Sequence, residues 1–310
     1  MDSRTPQPAG GWGVTVVLAL ITAGFSVINP ALLIFVPLAF LLVAMPPRRS
    51  LLTLFGVLLL AITFLGQRGG TLWWFGRGWV LILSGWFVVA LALLPHLNLT
   101  MRALSAIGGA TASVALLFLV NRAGWQQVDW TVARQLRDGA ADMRAFWTTR
   151  LADKPWAADV STAVDRFADW QAAAYPAMLA IASLAGLALS WWLWRRLVMQ
   201  DPRPFGALRD FRFSDHLIWI AIAGILLVVL PFSAPFTRTG ANLLAFMGAL
   251  YALRGFAVIL WLFGTPGLWG AVFGALVFVM LYPIVMATTL MVGVTDTWLD
   301  LRARQNNEKS

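Results

Sequence analysis

GANLLAFMGALYALRGFAVILWLF, residues 240–263, is an apolar run interrupted by a single arginine, Arg254. At about 1.5 Å rise per residue the run is long enough to cross a ~30 Å hydrocarbon layer, so it reads as a transmembrane helix. Arg254 stands nine residues before Phe263, roughly 13 Å along the axis, deeper than its side chain reaches comfortably by snorkelling. An arginine there costs on the order of 2.5–3.5 kcal/mol on insertion scales, so protein groups, water or a ligand must compensate it.

Around that arginine the helix is patterned on two stripes. Ala241, Ala245, Gly248, Ala252 and Gly255 recur at steps of four and three and form a small face that invites a neighbouring backbone. Met247, Tyr251 and Arg254 form the adjacent stripe. Three readings of Arg254 stay open: a structural residue bonding carbonyls of a broken neighbour, a ligand-facing or ion-pathway residue, and a residue reaching the interface of a displaced helix.

The rest of the chain repeats the membrane signal. Of 310 residues 60% are hydrophobic and 12% charged, too apolar for a soluble domain and too evenly apolar for a single anchor. The expected fold class is all-α, a polytopic transmembrane bundle of eight or nine spans with an amphipathic interfacial helical insertion. Long continuous apolar runs exclude the ten-residue alternation of a β-barrel. Four segments follow: N-terminal transmembrane helices over 1–120, the insertion over 121–171, C-terminal transmembrane helices over 172–304, and a polar tail over 305–310.

Apolar runs locate the spans. Trp12 to Ile28 and Ala31 to Met45 are separated by Asn29-Pro30, which favours a turn and removes a backbone donor. Ser50 to Leu65 is the third. The fourth is entered through Trp73, Trp74, Arg77 and Trp79, an expected interfacial group, and ends before Pro95. Ala103 to Val120, the fifth, carries Ser105, Gly109 and Ser113 at steps of four, a pattern favouring close helix contact. The sixth runs over about 172–194, the seventh from Ser214 to Leu230, the eighth over 240–263 after a turn over 231–238, and the ninth over about 268–292. The connection from Arg195 to Phe213 holds Arg195, Arg196, Arg203, Arg209 and Arg212 against Asp201 and Asp210, and is expected on the cytoplasmic side. Residues 1–11 lack a charged n-region, and no removed signal peptide is expected.

Residues 121–171 differ from everything around them, with seven Asp, six Arg and one Lys. The balance is neutral, so the segment is no basic tract, and no nucleic-acid partner is expected. Val128, Val132, Leu136, Met143 and Phe146 keep to one helical face, and Trp156, Val160, Val164 and Phe167 to another. Two helices parted near Asp153 to Pro155 are expected, lying on the membrane or capping the bundle, the second running into the sixth span.

Chemistry has few places to sit. The chain has no Cys, one Glu (Glu308) and two His (His96 and His216), and no Asp is expected inside an apolar span, Asp215 standing at the mouth of the seventh. No metal site, no cofactor and no catalytic residue are expected, and the chain reads as non-enzymatic. Ser214-Asp215-His216 reads as an N-cap serine with an acidic first turn in place of a catalytic trio. The acidic groups nearest Arg254 in span order are Asp215 and Asp296. A helical side chain leans toward its own N-terminus, which points Arg254 to the side where the ninth span ends, and an Arg254–Asp296 pair is expected. Failing a carboxylate, an anionic ligand or ordered water becomes the partner.

The segments DFRFSDHLIW (210–219), ANLLAFMGALYALRGFAVI (241–259) and GVTDTWLDLRAR (293–304) together resemble the YybS-like family of bacterial predicted membrane proteins. The matching positions are Asn242, Tyr251, Gly255, Gly293, Asp296, Trp298, Asp300 and Arg302, with Arg254 where a polar residue such as Gln is usual. The resemblance implies a multi-pass protein of the bacterial cytoplasmic (inner) membrane. Its span pattern is similar to the substrate-binding subunits of energy-coupling-factor transporters, a fold-level analogy. The expected function is a small-ligand-binding membrane subunit of a transporter, with Asn242, Tyr251, Arg254 and Asp296 lining or bracing the site. The alternative is a scaffold or assembly protein holding other membrane subunits. Expected partners are the lipid bilayer, other membrane subunits and a small molecule of unknown identity.

Overall fold

The computed structural model describes residues 12–45, 50–65, 69–151, 157–200, 211–264 and 281–299, and among them all regular structure is helical. The helices are α1 (Trp12–Phe25), α2 (Pro30–Ala44), α3 (Ser50–Phe64), α4 (Thr71–Leu93), α5 (Leu99–Val120), α6 (Arg122–Leu151), α7 (Ala157–Trp194), α8 (Ile218–Val229), α9 (Ala234–Phe263) and α10 (Tyr282–Leu299). A π turn, Arg195–Met199, ends α7, and a single 3₁₀ turn, Asp215–Leu217, precedes α8. Among the described residues four helices are long and apolar enough to cross a membrane: Thr71–Leu93, Leu99–Val120, Ala158–Met199 and Ala234–Phe263. The remaining apolar helices are shorter, so an expected count of eight or nine depends on them as well.

The described residues form two compact units, one of 18–200 and the other drawn from 1–17 and 201–310. In the first, α2 is the centre. Asn29 caps it by accepting from the Ala31 N–H at 3.0 Å, which is why the chain breaks where Asn-Pro stands. Leu33, Leu41 and Leu42 of α2 meet Val80, Leu83 and Phe87 of α4 and Leu187 of α7 in one buried cluster. The helices approach closely because small residues stand at the crossings. A Cβ at Gly186 would come within 2.6 Å of the Leu33 carbonyl oxygen, and the Ser190 hydroxyl donates to the Ile34 carbonyl at 2.6 Å.

One expectation in this unit changes, and the close contact expected of α5 finds its partner. Trp79 is buried, its indole N–H donating to Ser183 Oγ at 3.0 Å, so it locks α4 to α7 and does not sit at the interface, whereas Trp74 is exposed. The small stripe of α5 receives an indole: Trp86 lies over Gly109 and donates to Ser113 Oγ at 2.9 Å. Arg77 stacks on Trp73 at 3.8 Å and donates through Nε to the Thr63 carbonyl at 2.6 Å, satisfying an orphan carbonyl at the end of α3.

The insertion is a helical hairpin in which α6 runs against the first half of α7. Val128 and Val132 close on Tyr175 at its base, while Met143, Phe146 and Phe167 are exposed toward the tip. Arg137–Asp169 at 3.2 Å and Arg144–Asp165 at 2.8 Å bridge the two helices. As expected, the second helix continues into the sixth span without a break. Trp156 and the expected break near Asp153 to Pro155 lie outside the described residues.

In the second unit α9 is the centre, packed by α8 on one side and α10 on another. Its start differs from expectation. The helix begins at Ala234, with Pro235 in its first turn, so most of the expected turn at 231–238 is helical. The close crossings are also fewer than the small stripe suggested. Ala241 is exposed, and the neighbouring Gly240 packs on α8, where a Cβ would come within 2.7 Å of the Gly224 carbonyl oxygen. At the other end Gly255 and Gly293 face each other. A Cβ on Gly255 would collide with the Thr289 carbonyl, and one on Gly293 with the Tyr251 carbonyl. This backbone contact fixes the register of α9 against α10, and the register positions the site.

Candidate functional site

The pairing of Gly255 with Gly293 brings the closing segment of α10 beside Arg254. The helix was expected to end near Val292, with GVTDTWL as tail; it continues through Leu299 and carries Asp296 inside it, fully buried. The reading that no Asp lies within an apolar span is therefore corrected. The spans were drawn by hydropathy, which stops at the first polar cluster, whereas the helix ladder continues while the next turn can pack.

Arg254 is 3% exposed. Its Nε donates to Asp296 Oδ2 at 2.9 Å and its Nη2 to the Asp296 carbonyl at 3.2 Å. Nη1 donates to Asp215 Oδ1 at 2.6 Å. The planar fork is thus met by one fully buried carboxylate on α10 and by a second, 62% exposed, from the turn before α8. The expected Arg254–Asp296 pair is present, and Asp215 joins it. Two carboxylates, with the Asp296 carbonyl beside them, compensate the buried charge.

A cavity of about 440 Å³ opens beside this triad, lined by Arg212, Phe213, Ser214, Asp215, His216, Arg254 and Asp296. Its volume falls in the range of small-molecule sites, roughly 300–1,000 Å³. Phe213 is buried; its ring lies 5.4 Å from the Arg254 guanidinium carbon and meets Tyr251 edge-on at 5.3 Å. An aromatic face over a guanidinium adds cation–π attraction, and Tyr251 backs that wall. Ser214 occupies the N-cap position but makes no side-chain cap bond, and the Asp215 carboxylate turns to Arg254. The trio read as helix-start residues therefore forms part of the pocket wall.

The structure brings together Arg254 and Asp296, with Tyr251 behind them, and leaves Asn242 apart. The Asn242 amide donates to the Arg238 carbonyl of its own helix at 2.9 Å, and the residue is not among those lining the cavity. Twelve residues of helix, roughly 18 Å, separate it from Arg254. Of the family-motif positions, Gly255 and Gly293 make the helix crossing, Trp298 is 72% exposed, and Asp300 and Arg302 lie outside the described residues. The sequence reading missed Arg212, Phe213 and His216 as wall residues. Their signal was the charged and aromatic alternation at the mouth of the seventh span, which reads equally well as a cytoplasmic loop.

Residues 151–297 match a family model described as predicted membrane protein (DUF2232). The matched segment contains Asp215, Arg254 and Asp296, and stops before Asp300 and Arg302. No curated protein and no solved structure matches the chain.

Proposed function

We propose that this is a non-enzymatic, multi-pass protein of the bacterial inner membrane that binds a small polar ligand in the cavity beside Arg254, as the membrane subunit of a transporter. The carrying observation is a polar cavity that reaches a buried, doubly paired arginine inside the helical unit. A helix bundle that served only to hold neighbours has no need of such a space, because buried ions are costly and replaceable by apolar packing. The resemblance to YybS-like proteins, and through them to energy-coupling-factor binding subunits, supports the same reading by analogy. In this reading the shorter helices also cross the bilayer, giving eight or nine spans, with tilt and local thinning taking up the mismatch.

The test is purification from native membranes, followed by identification of bound small molecules and co-purifying proteins. A small molecule retained by the wild type and lost from Asp215→Ala is expected. A stoichiometric protein partner with no small molecule would overturn the proposal in favour of a scaffold. One observation favours that second reading: the tip of the α6–α7 hairpin exposes Met143, Phe146, Phe167 and Trp170, an apolar surface fit for a neighbouring subunit.

A further inference from the structure

We infer that the ligand of this cavity carries a single protonated amine, received by Asp215. The inference rests on the binding reading above and adds the ligand's chemistry to it. The obvious guess for a buried arginine is an anionic ligand, and the geometry points the other way. Nε, Nη1 and Nη2 of Arg254 all already donate, to Asp296 Oδ2, Asp215 Oδ1 and the Asp296 carbonyl. These bonds use three of the five N–H donors of the guanidinium and the side chain is 4% exposed, so an incoming anion meets at most the two N–H groups left over at a narrow opening. A ligand carboxylate or phosphate that took the donor now given to Asp215 would displace that carboxylate and leave the two buried members of the triad to readjust.

The accessible charge at that end of the cavity is instead the Asp215 carboxylate. Its side chain is 62% exposed and only Oδ1 is engaged by Arg254. A carboxylate accepts at both oxygens, about four lone-pair sites in all, so an ammonium group can bind without breaking the existing pair. Asp215 and Asp296 together exceed Arg254 by one negative charge, which favours a cation beside them. Phe213 supplies an apolar, electron-rich surface at the same place. The excess of the triad is a single charge, which favours a monoamine over a polyamine.

The chain contains no cysteine, so one introduced thiol reports the pocket by itself. The full-length protein with Ser214→Cys, and separately with His216→Cys, is reconstituted in nanodiscs and checked for folding by gel filtration. Each is labelled with a cationic trimethylammonioethyl or an anionic sulfonatoethyl methanethiosulfonate. The cationic-to-anionic rate ratio, normalised to that of 2-mercaptoethanol, is expected to be raised on the order of tenfold, the effect of one unit charge about 6 Å away in water on two oppositely charged reagents. Asp215→Asn should return the ratio to near one. Butylammonium chloride should slow labelling, and sodium butyrate should not. An anionic reagent that reacts faster, a ratio unchanged by Asp215→Asn, or no protection by butylammonium overturns the amine assignment and leaves the pocket standing. Folded protein in which neither cysteine is labelled by either reagent removes the pocket, and the binding proposal with it.

Discussion

Replacing Arg254 with Met tests the triad directly. The substitution keeps the length of the side chain and removes its charge, leaving Asp296 with no exposure and without its guanidinium partner. Breaking a buried pair from one side costs about 3–5 kcal/mol, because the remaining ion has lost the charge that compensated its desolvation. Asp296→Leu removes the other side. Arg254 then keeps Asp215 at 2.6 Å, so the cost falls to about 2–3 kcal/mol. The double variant Arg254→Met with Asp296→Leu buries neither charge and leaves Asp215 to solvent, which already reaches most of it; it is expected within about 1 kcal/mol of wild type. In thermal unfolding of detergent-purified protein followed by tryptophan fluorescence, Trp219 and Trp298 report on this unit. At about 2–4 °C per kcal/mol, Arg254→Met should lower Tm by roughly 6–20 °C. The cycle should show a coupling of about 3 kcal/mol or more, where unlinked sites agree to about 0.5 kcal/mol. Additive single effects, or an Arg254→Met protein as stable as wild type, would refute the triad as the means by which the arginine is buried.

Gly255→Ala and Gly293→Ala should each destabilise by at least about 1–3 kcal/mol in the same melt, because the new methyl meets a backbone carbonyl that cannot rotate away. Gly139→Ala in α6 should do the opposite by about 0.5–1 kcal/mol, since that glycine is mid-helix, exposed and has nothing within 4 Å of an added Cβ. Ser183→Ala removes the acceptor of the buried Trp79 indole and should cost about 0.6–2 kcal/mol, read as a red-to-blue comparison of tryptophan emission alongside Tm. Arg144→Ala should change stability by less than about 1 kcal/mol, and less still in 1 M salt, because both partners of its pair are about half exposed.

Sequence alone determined the helical membrane character and most helix ends. These are local properties: apolar runs of spanning length, the turn at Asn29-Pro30, and a switch to amphipathic periodicity after Asn121. Even the partner of Arg254 was half legible, since a helical side chain leans toward its N-terminus and only one carboxylate stood on that side of the neighbouring helix. Tertiary structure decided the rest. The close crossing of Gly255 with Gly293 selects one register of α9 on α10 and so draws Asp296 into the interior. The turn before α8 then delivers Asp215 to the same guanidinium, with Phe213 and His216 at the cavity wall, and α9's length leaves Asn242 three turns away. Periodicity states which face of a helix is apolar or small. Which two faces meet, and at what height, depends on backbones in contact across stretches far apart in the chain, and no local pattern carries that.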